Sequence, residues 1–315
     1  MMKLKYLFEN FELARLALVH YPHDEDTLEE CLRWFRISAN AVYPYRCEGK
    51  LCFLRLAPTE EKQLPFVQSE VEYIRYLRGC GYPAMKPIGD AWLLESPWGN
   101  WCVSCFEGVK GKPAEDCQPD PNLFFAMGEA LGRLHKLSKS YQPAIRRSAH
   151  DEVLRKAAQS LRNDGAPPAV LDALNALQTG LNRLPVTQDH YGLLHYDFEM
   201  DNVFWDGCEC SVIDFDDAMY GWFSLDVEKA LESVKETGED KAEEVFMAGY
   251  RSVSPFTDEM ESQRPLMRRM IHLYSYARLA HCLHDEVSRM PEWMQELRQR
   301  LSDRMHQLEQ WILQE

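Results

Sequence analysis

The sequence predicts an α+β protein with two lobes, a small N-terminal lobe built on a β-sheet and a larger, mostly helical C-terminal lobe. The first hundred or so residues alternate helical spacing with short β-like runs, whereas the pattern beyond Gly111 is mainly helical. The chain has 315 residues, 45% of them hydrophobic, which is enough for more than one typical domain core. We place the boundary so that residues 1–107 form the first lobe and residues 108–315 the second.

The predicted N-terminal lobe reads helix, hairpin, helix, hairpin. Turn residues separate its elements: Glu48-Gly49-Lys50 in the first hairpin and residues 96–100 in the second. The predicted elements are a helix over 4–19, a short helix capped by Asp26 or Thr27 and ending at Leu32, strands over 34–47 and 51–56, a helix over 66–79, and strands over 91–95 and 101–106.

The predicted C-terminal lobe is a series of helices with one exception. Apolar residues at helical spacing predict helices over 121–138, 151–162, 166–184, 225–234 and 241–251, and a long helical stretch from 259 to the C-terminus. The exception is Leu193–Phe215, which is strand-like and dense with acidic residues. This segment is therefore where we look for chemistry.

Charge and composition exclude several classes of protein. A net charge of -15 argues against binding to nucleic acid, because a phosphate backbone needs a basic surface. Glu9 and Glu12 interrupt any signal-peptide core, and no apolar run approaches the roughly 18 residues of a membrane span. We therefore expect a cytoplasmic protein with no membrane partner. Its ten cysteines are then reduced, and we interpret Cys102-x-x-Cys105 as part of a buried strand and not as a zinc site.

The acidic segment contains a predicted hairpin. Residues 203–205 and 211–213 are strand-like, and Asp206-Gly207 is a turn signal between them. A two-residue turn would pair Asn202 with Ser211, whereas a five-residue loop would place Asn202 opposite Asp214. We favour the second register because it brings an amide oxygen and a carboxylate together, which suits a hard divalent cation.

A further carboxylate precedes this hairpin. Asp197 lies five residues before Asn202, in a loop that follows Leu193-Leu194. A carboxylate at this position can accept a proton from a substrate hydroxyl. Phosphoryl transfer asks little more of a protein than such a base, a metal ion and a positive group on the phosphates.

The order His195-Tyr196-Asp197-x4-Asn202, followed by Ile213-Asp214-Phe215, resembles the catalytic and metal-binding loops of the aminoglycoside phosphotransferase/choline kinase-like family. The resemblance covers roughly residues 30–290 and implies a protein-kinase-like fold. It implies that Asp197 is the base, that Asn202 and Asp214 hold Mg²⁺, and that ATP or GTP is the co-substrate. It also implies transfer to a hydroxyl of a small molecule such as an aminoglycoside, choline or homoserine.

The same resemblance assigns residues of the nucleotide-binding lobe. Arg55 stands in a strand that resembles the family's strand with a phosphate-contacting Lys. Glu70 in the following helix resembles the ion-pair partner of that Lys, with Glu72 as the nearby alternative. Ser104 and Phe106 lie in a segment similar to the linker between lobes, where backbone groups would bind the adenine edge. Asp226 resembles a buried Asp that braces the catalytic loop.

Three positions depart from the family pattern. Tyr196 replaces the usual Gly beside the base, which would reshape the acceptor pocket, and Arg55 replaces Lys. The nucleotide loop over 37–42 is not glycine-rich, so Ser38 and backbone amides would have to cover the phosphates. We expect His195 to be structural.

Several alternatives stay open at this point. Asp216 and Asp217 could join the metal site, be solvated or cap a helix. A nucleotide-binding scaffold without transfer activity is the competing function, although the intact set of Asp197, Asn202 and Asp214 argues against it. A protein kinase is disfavoured because no Ala-Pro-Glu-like element follows Asp214.

Overall fold

The structure is a computed structural model that describes residues 2–6, 10–37, 40–284 and 290–314. Its helices are α1 Phe11–Leu18, α2 Glu25–Leu32, α3 Leu64–Gly79, α4 Pro121–Ser138, α5 His150–Asn163, α6 Pro168–Leu181, α7 Phe223–Lys235, α8 Ala242–Val253, α9 Asp258–Leu283 and α10 Glu292–Gln314. Its strands are β1 Arg36–Ile37, β2 Ala41–Cys47, β3 Lys50–Pro58, β4 Lys86–Pro87, β5 Trp92–Ser96, β6 Gly99–Glu107, β7 Lys112–Pro113, β8 Tyr191–Leu193, β9 Val203–Trp205, β10 Cys210–Val212 and β11 Tyr220–Trp222.

The N-terminal part is an antiparallel sheet in the order β1-β2-β3-β6-β4, with β5 also paired to β6. The β2–β3 hairpin turns at Glu48 and Gly49, which both have positive φ. The carboxylate of Asp24 accepts hydrogen bonds from the backbone N–H groups of Glu48 (2.9 Å) and Gly49 (2.8 Å) and thereby stabilises this turn. The C-terminal part is mainly helical, so the predicted α+β class and two-lobed fold are confirmed.

The protein contains two large hydrophobic clusters, one in the small N-terminal lobe and one centred on the large helical lobe. One cluster joins α1 and α2 to the sheet through residues such as Leu18, Tyr45 and Leu54. The other runs through the helical part, and it also contains the apolar face of α3. Helix α3 therefore packs into the core of the large lobe although it lies between strands of the small one. The division at 107/108 itself stays a prediction.

Helices α4 and α8 approach each other closely because each of them places a glycine against the backbone of the other. A Cβ on Gly128 of α4 would lie 1.9 Å from the carbonyl oxygen of Phe246, and a Cβ on Gly249 of α8 would lie 2.0 Å from that of Phe125. No side chain larger than hydrogen fits at either position. This contact holds α4, which carries His135 toward the loop that contains Asp197.

Some predicted elements have different bounds. Instead of a continuous helix over 4–19, Leu4–Tyr6 is a 3₁₀ turn and α1 begins at Phe11, where the Asn10 side chain accepts a hydrogen bond from Leu13 N–H (2.9 Å). The predicted strand 34–47 is divided into β1 and β2, and the stretch from 259 onward is two helices, α9 and α10. The short strands β4, β7, β8 and β11 were not predicted, because runs of two or three residues carry no periodicity.

Among the described residues, none of the helices is both long and apolar enough to span a bilayer.

Candidate active site

The acidic hairpin forms with a register that differs from both predicted ones. Trp205 pairs with Cys210, so the loop has the four residues Asp206–Glu209. The Asp206 carboxylate accepts hydrogen bonds from the N–H groups of Cys208 and Glu209, both at 2.9 Å, and this local turn selects the four-residue loop. Asn202 consequently lies opposite Ile213, whose N–H donates to the Asn202 carbonyl (3.0 Å), and the predicted pairing with Asp214 is wrong by one residue.

Asn202 is nevertheless tied directly to Asp197. Its side-chain Nδ2 donates to the carbonyl oxygen of Asp197 (3.0 Å) and to the Asp197 carboxylate (3.1 Å). Asn202 is only 7% exposed, so its amide is held in one orientation with Oδ1 turned away from Asp197. Two of the three residues on which the catalytic interpretation depends are thus brought together in one loop.

Asp226, at the start of α7, holds the loop that contains Asp197. Its buried carboxylate accepts hydrogen bonds from the N–H groups of His195 (2.8 Å) and Tyr196 (2.6 Å) and from Nε2 of His135 (3.0 Å). His195 is also buried, and its ring joins Asp197 N–H (3.2 Å) to the carbonyl of Ile213 (2.9 Å). The ring of His195 therefore spaces the loop that carries Asp197 from the strand that leads to Asp214.

Tyr196 adopts a left-handed conformation with φ of +69°. A residue with a Cβ costs about 1–2 kcal/mol in this region, which is the physical reason why Gly suits the position. The hydrogen bond to Asp226 and a ring contact with Tyr274, with centroids 5.4 Å apart, offset this strain. Tyr196 is 1% exposed and lines neither of the clefts described below, whereas its ring partner Tyr274 lines the larger one. An effect of Tyr196 on the acceptor pocket stays a prediction.

Arg55 and Glu70 form a buried ion pair between β3 and α3. Arg55 Nη1 lies 2.9 Å from one Glu70 oxygen, and Nη2 contacts the other. Arg55 Nε donates to Ser104 Oγ (3.2 Å), and the guanidinium lies over the Phe106 ring at 4.8 Å. Ser104 and Phe106 are buried inside β6, where their side chains support Arg55; the predicted role of their backbone groups at the adenine edge stays a prediction.

The same guanidinium faces the segment predicted to bind metal. Arg55 Nη1 lies 3.5 Å from Asp214 Oδ1, so the predicted phosphate contact lies beside the predicted metal ligand. Asp214 leaves the ladder after Ile213 with φ of +59°, which turns its carboxylate toward Arg55. The structure thus brings Arg55, Glu70 and Asp214 together.

Burial perturbs both carboxylates of the site. Burial, followed by the charges of Asp217 and Glu199, raises the pKa of Asp197, while Arg278 and Lys229 oppose this. Burial and the Asp216 charge raise the pKa of Asp214 to about 7 against the influence of Arg55. Since 40% of the Asp214 side chain is exposed, water moderates this effect. A nearby divalent cation would favour the ionised form.

The donor set suits a hard divalent cation. Asn202 Oδ1 and the Asp214 carboxylate would supply oxygen ligands, and Mg²⁺ typically takes one or two carboxylates and completes its shell with phosphates and water. Within the described ranges, no group of three or more His, Cys, Asp and Glu side chains is placed to hold a metal ion without such help.

Asp216 and Asp217 each pair with a cation, and neither caps a helix. Asp216 is 3% exposed; its carboxylate accepts a hydrogen bond from Asn40 Nδ2 (3.1 Å) and contacts Lys62 Nζ. Burial opposes its ionisation, but Lys62 and Arg55 outweigh burial and hold the pKa of Asp216 well below its usual range. Asp217 pairs with Arg278 at 2.7 Å. Ser38, predicted to cover the phosphates, lies outside the described residues, but Asn40 from the same loop reaches Asp216.

Two clefts flank α9 beside these carboxylates. The smaller, of about 320 Å³, borders Asp197, and it is lined by Glu199, Lys229, Glu232, Glu236, Arg278 and Arg304, among others. The larger, of about 660 Å³, lies between the start of α3, helix α5 and the other side of α9, and it includes Asp217 and Tyr274. Arg278 lines both. Sequence reasoning missed Arg278 and Lys229 because single cations within helices carry no motif.

Solved structures share this architecture. An amicoumacin kinase in complex with AMP-PNP and Ca²⁺ is similar with a TM-score of 0.76 at 22% identity, over 96% of this chain and 94% of that chain. A microcompartment-associated aminopropanol kinase is similar with a TM-score of 0.72 at 20% identity, over 96% of this chain and 98% of that one. Fold and site together define a two-lobed, kinase-like small-molecule phosphotransferase.

The sequence comparisons identify the family. An amicoumacin kinase of Bacillus subtilis (strain 168) is 26% identical over 241 residues, which are 73% of this chain and 70% of that protein. The family model described as "Phosphotransferase enzyme family" matches residues 48–266, and the chain belongs to this family. This confirms two predictions: that the chain belongs to this family, and that it is an enzyme that transfers phosphate to small molecules.

Proposed function

We propose that this enzyme transfers the γ-phosphoryl group of ATP or GTP to a hydroxyl of a small, amine-bearing acceptor, with Asp197 as the base. The observation that carries the proposal is the arrangement of Asp197. Its carboxylate borders the smaller cleft and accepts a hydrogen bond from Asn202, one of the two proposed metal ligands. A hydroxyl in this cleft can therefore be oriented toward a phosphoryl group on the metal side.

The nucleotide would bind on the other side of Asp197, against Arg55. The fork of Arg55 suits phosphate oxygens, and Glu70 and Ser104 hold it in place (2.9 and 3.2 Å). Asn202 and Asp214 would hold Mg²⁺, which when bound neutralises charge on the phosphates. The raised pKa of Asp197 brings it closer to neutral pH, where a general base works best.

The acceptor would lie in the smaller cleft. Its lining includes the four carboxylates of Asp197, Glu199, Glu232 and Glu236. Burial, with Glu228 nearby, raises the pKa of Glu232 to about 7 against the influence of Lys229, and its Oε1 lies 3.7 Å from Nε2 of His272. Since 30% of the Glu232 side chain is exposed, an ammonium group on the acceptor would pair with this carboxylate from the cleft. The relatives that act on amicoumacin and aminopropanol agree with a small-molecule acceptor, and aminopropanol itself carries an amine and a hydroxyl.

A nucleotide-consumption screen tests the proposal. Purified protein with Mg-ATP or Mg-GTP is offered amino alcohols, aminoglycosides, choline and homoserine, each paired with an analogue that lacks the amine. We expect consumption with at least one amine-bearing acceptor and a lower kcat/KM with its paired analogue. Nucleotide binding without consumption on the whole panel would favour the scaffold alternative. Equal turnover of both members of each pair would contradict the amine assignment alone.

A further inference from the structure

Arg147 is a buried cation that neither the nucleotide nor the acceptor assignment uses. It lies between α4 and α5, is 2% exposed and stacks on the Phe66 ring at 4.0 Å. Its hydrogen-bond acceptors are neutral oxygens at opposite ends of the guanidinium. Burial lowers the pKa of Arg147, against the nearby charges of Glu70, Asp216 and Asp217. This guanidinium therefore stands among the carboxylates of the proposed site, although within the described part of the chain it hydrogen-bonds only neutral oxygens.

One end of Arg147 binds α3. Its Nη1 donates to the carbonyl of Phe66 (3.2 Å) and to Ser69 Oγ (3.3 Å). Ser69 directly precedes Glu70, the ion-pair partner of Arg55. This end therefore fixes the turn of α3 that presents Glu70 to the phosphate-contacting cation.

The other end of Arg147 binds the segment that follows Asp214. Its Nη2 donates to the carbonyl of Asp216 and its Nε to the carbonyl of Ala218. Asp216 is two residues from Asp214 and is held by Asn40 (3.1 Å) from the nucleotide loop. The guanidinium is thus a rigid bridge between the segment that carries a proposed metal ligand and the helix that carries Glu70.

Arg147 is not needed merely to attach α3 to the large lobe. Glu72 already accepts hydrogen bonds from the N–H groups of Ala144 (2.7 Å) and Ile145 (3.3 Å) and from the hydroxyl of Tyr141 (3.0 Å). The apolar face of α3 also lies in the large hydrophobic cluster. What Arg147 adds is the connection from α3 to residues 216–218.

We propose that Arg147 is a positioning residue for phosphoryl transfer: it couples the helix that carries Glu70 to the segment that carries Asp214, so that the phosphate-contacting and metal-binding halves of the site keep one relative position. The inference rests on the proposed function. It requires the two halves to cooperate: metal ion should tighten nucleotide binding in the intact protein, and the gain should fall when Arg147 is changed.

The test measures ATP dissociation constants by calorimetry, once with excess MgCl₂ and once with EDTA, and compares their ratio between variants. Arg147→Met keeps the apolar stem and removes the bridge, and we expect the tightening by Mg²⁺ to fall about tenfold, since each tenfold step is about 1.4 kcal/mol of binding. Arg147→Lys keeps the charge but not the fork and should lose about threefold.

Arg264→Met is the matched control. Arg264 is a mostly buried Arg of α9 that binds the carboxylates of Glu228, Glu243 and Glu261 and lines neither cleft. It should lower the melting temperature and leave the ratio unchanged. If Arg147→Met changes both dissociation constants in parallel, Arg147 is merely structural and the inference is overturned.

Two milder changes decide the question if Arg147→Met does not fold. Ser69→Ala removes one of the α3 acceptors and should reduce the ratio about twofold, in the same direction as Arg147→Lys. An unchanged ratio in both Ser69→Ala and Arg147→Lys overturns the inference. If the wild-type protein binds ATP neither with Mg²⁺ nor without it, the proposed function fails instead, which is a distinguishable result.

Discussion

Asp197, the proposed base, stands between two sides that are built differently. On the proposed nucleotide side, Arg55 (6% exposed) and Glu70 (0%) are already paired within the chain and held by neighbouring strands and α3. On the proposed acceptor side, the smaller cleft is lined by charged residues of separate helices, among them α7, α9 and α10. We therefore expect the buried residues of the nucleotide side to tolerate little change, whereas the surface for the acceptor can vary without disturbing them.

We expect the largest effect from a change of Asp197, the carboxylate that lies between the two sides. Asp197→Asn keeps the shape and the contact with Asn202 but removes the base. We expect kcat to fall about 10³-fold, within the range for loss of a general base, while the Kd for Mg-ATP stays unchanged. The measurement is steady-state kinetics on the acceptor found in the screen, with binding by calorimetry.

Asp206→Asn is the control for that variant. Asp206 is an exposed Asp in the turn of the neighbouring hairpin, and its amide analogue keeps the oxygen that accepts from Cys208 and Glu209. It should behave like the wild-type protein. Wild-type turnover by Asp197→Asn would remove Asp197 from the role of base.

The buried pair on the nucleotide side should respond next most strongly. Glu70→Gln leaves the Arg55 guanidinium buried without its main counter-charge, and we expect a loss of about 3 kcal/mol of unfolding free energy together with weaker nucleotide binding. Chemical denaturation and calorimetry measure the two effects. Glu29→Gln, which breaks the exposed pair with Arg15, should leave both unchanged. Equal behaviour of the two variants would mean that the nucleotide side is not the rigid side.

A carboxylate of the acceptor side should have a smaller and more selective effect. Glu232→Gln is expected to raise KM for an amine-bearing acceptor about tenfold and to leave KM for ATP unchanged. Glu239→Gln, an exposed position just beyond α7, is the control. A change in KM for ATP of the same size would show that the two sides are not separable.

A change of Arg278 should have a smaller effect, a shift in the pH dependence of kcat. A base with a raised pKa acts above that pKa and loses activity as the pH falls through it, so the acid limb of kcat should follow Asp197. Arg278 lowers the pKa of Asp197, and Arg278→Met should therefore move this limb to higher pH, whereas Arg278→Lys should leave it in place. A limb that does not move in Arg278→Met would mean that another group controls it.

The residues proposed for the nucleotide side could be named from the sequence because they stand in short, ordered motifs; their roles stay predictions. Asp197, Asn202 and Asp214 fall within eighteen residues, and Arg55 and Glu70 lie on a strand and the next helix. The hairpin register was missed by one residue because it depends on the Asp206 carboxylate binding two backbone N–H groups, and a strand pattern alone does not encode this.

The acceptor side could not be predicted in the same way. Lys229, Glu232, Arg278 and Arg304 come from three helices far apart in the chain, and their neighbourhood depends on how those helices pack. Arg147 shows the same limit, because its partners on α3 and after Asp214 include residues 81 and 69 positions away. These sites form through contacts between residues far apart in the sequence, and local propensity does not encode such contacts.

The packing of α3 into the large hydrophobic cluster has a consequence for dissecting the protein. A fragment that ends at residue 107 would carry Val71, Ile74 and Leu77, each no more than 2% exposed in the whole chain, with much of their surroundings removed. Burial of each such side chain contributes about 1.5–3 kcal/mol to folding stability, and together they would form an exposed hydrophobic patch on an isolated fragment. The small lobe should therefore aggregate when it is expressed alone. Chimeras between relatives should fold more often when α3 and the helices of the large lobe come from the same parent.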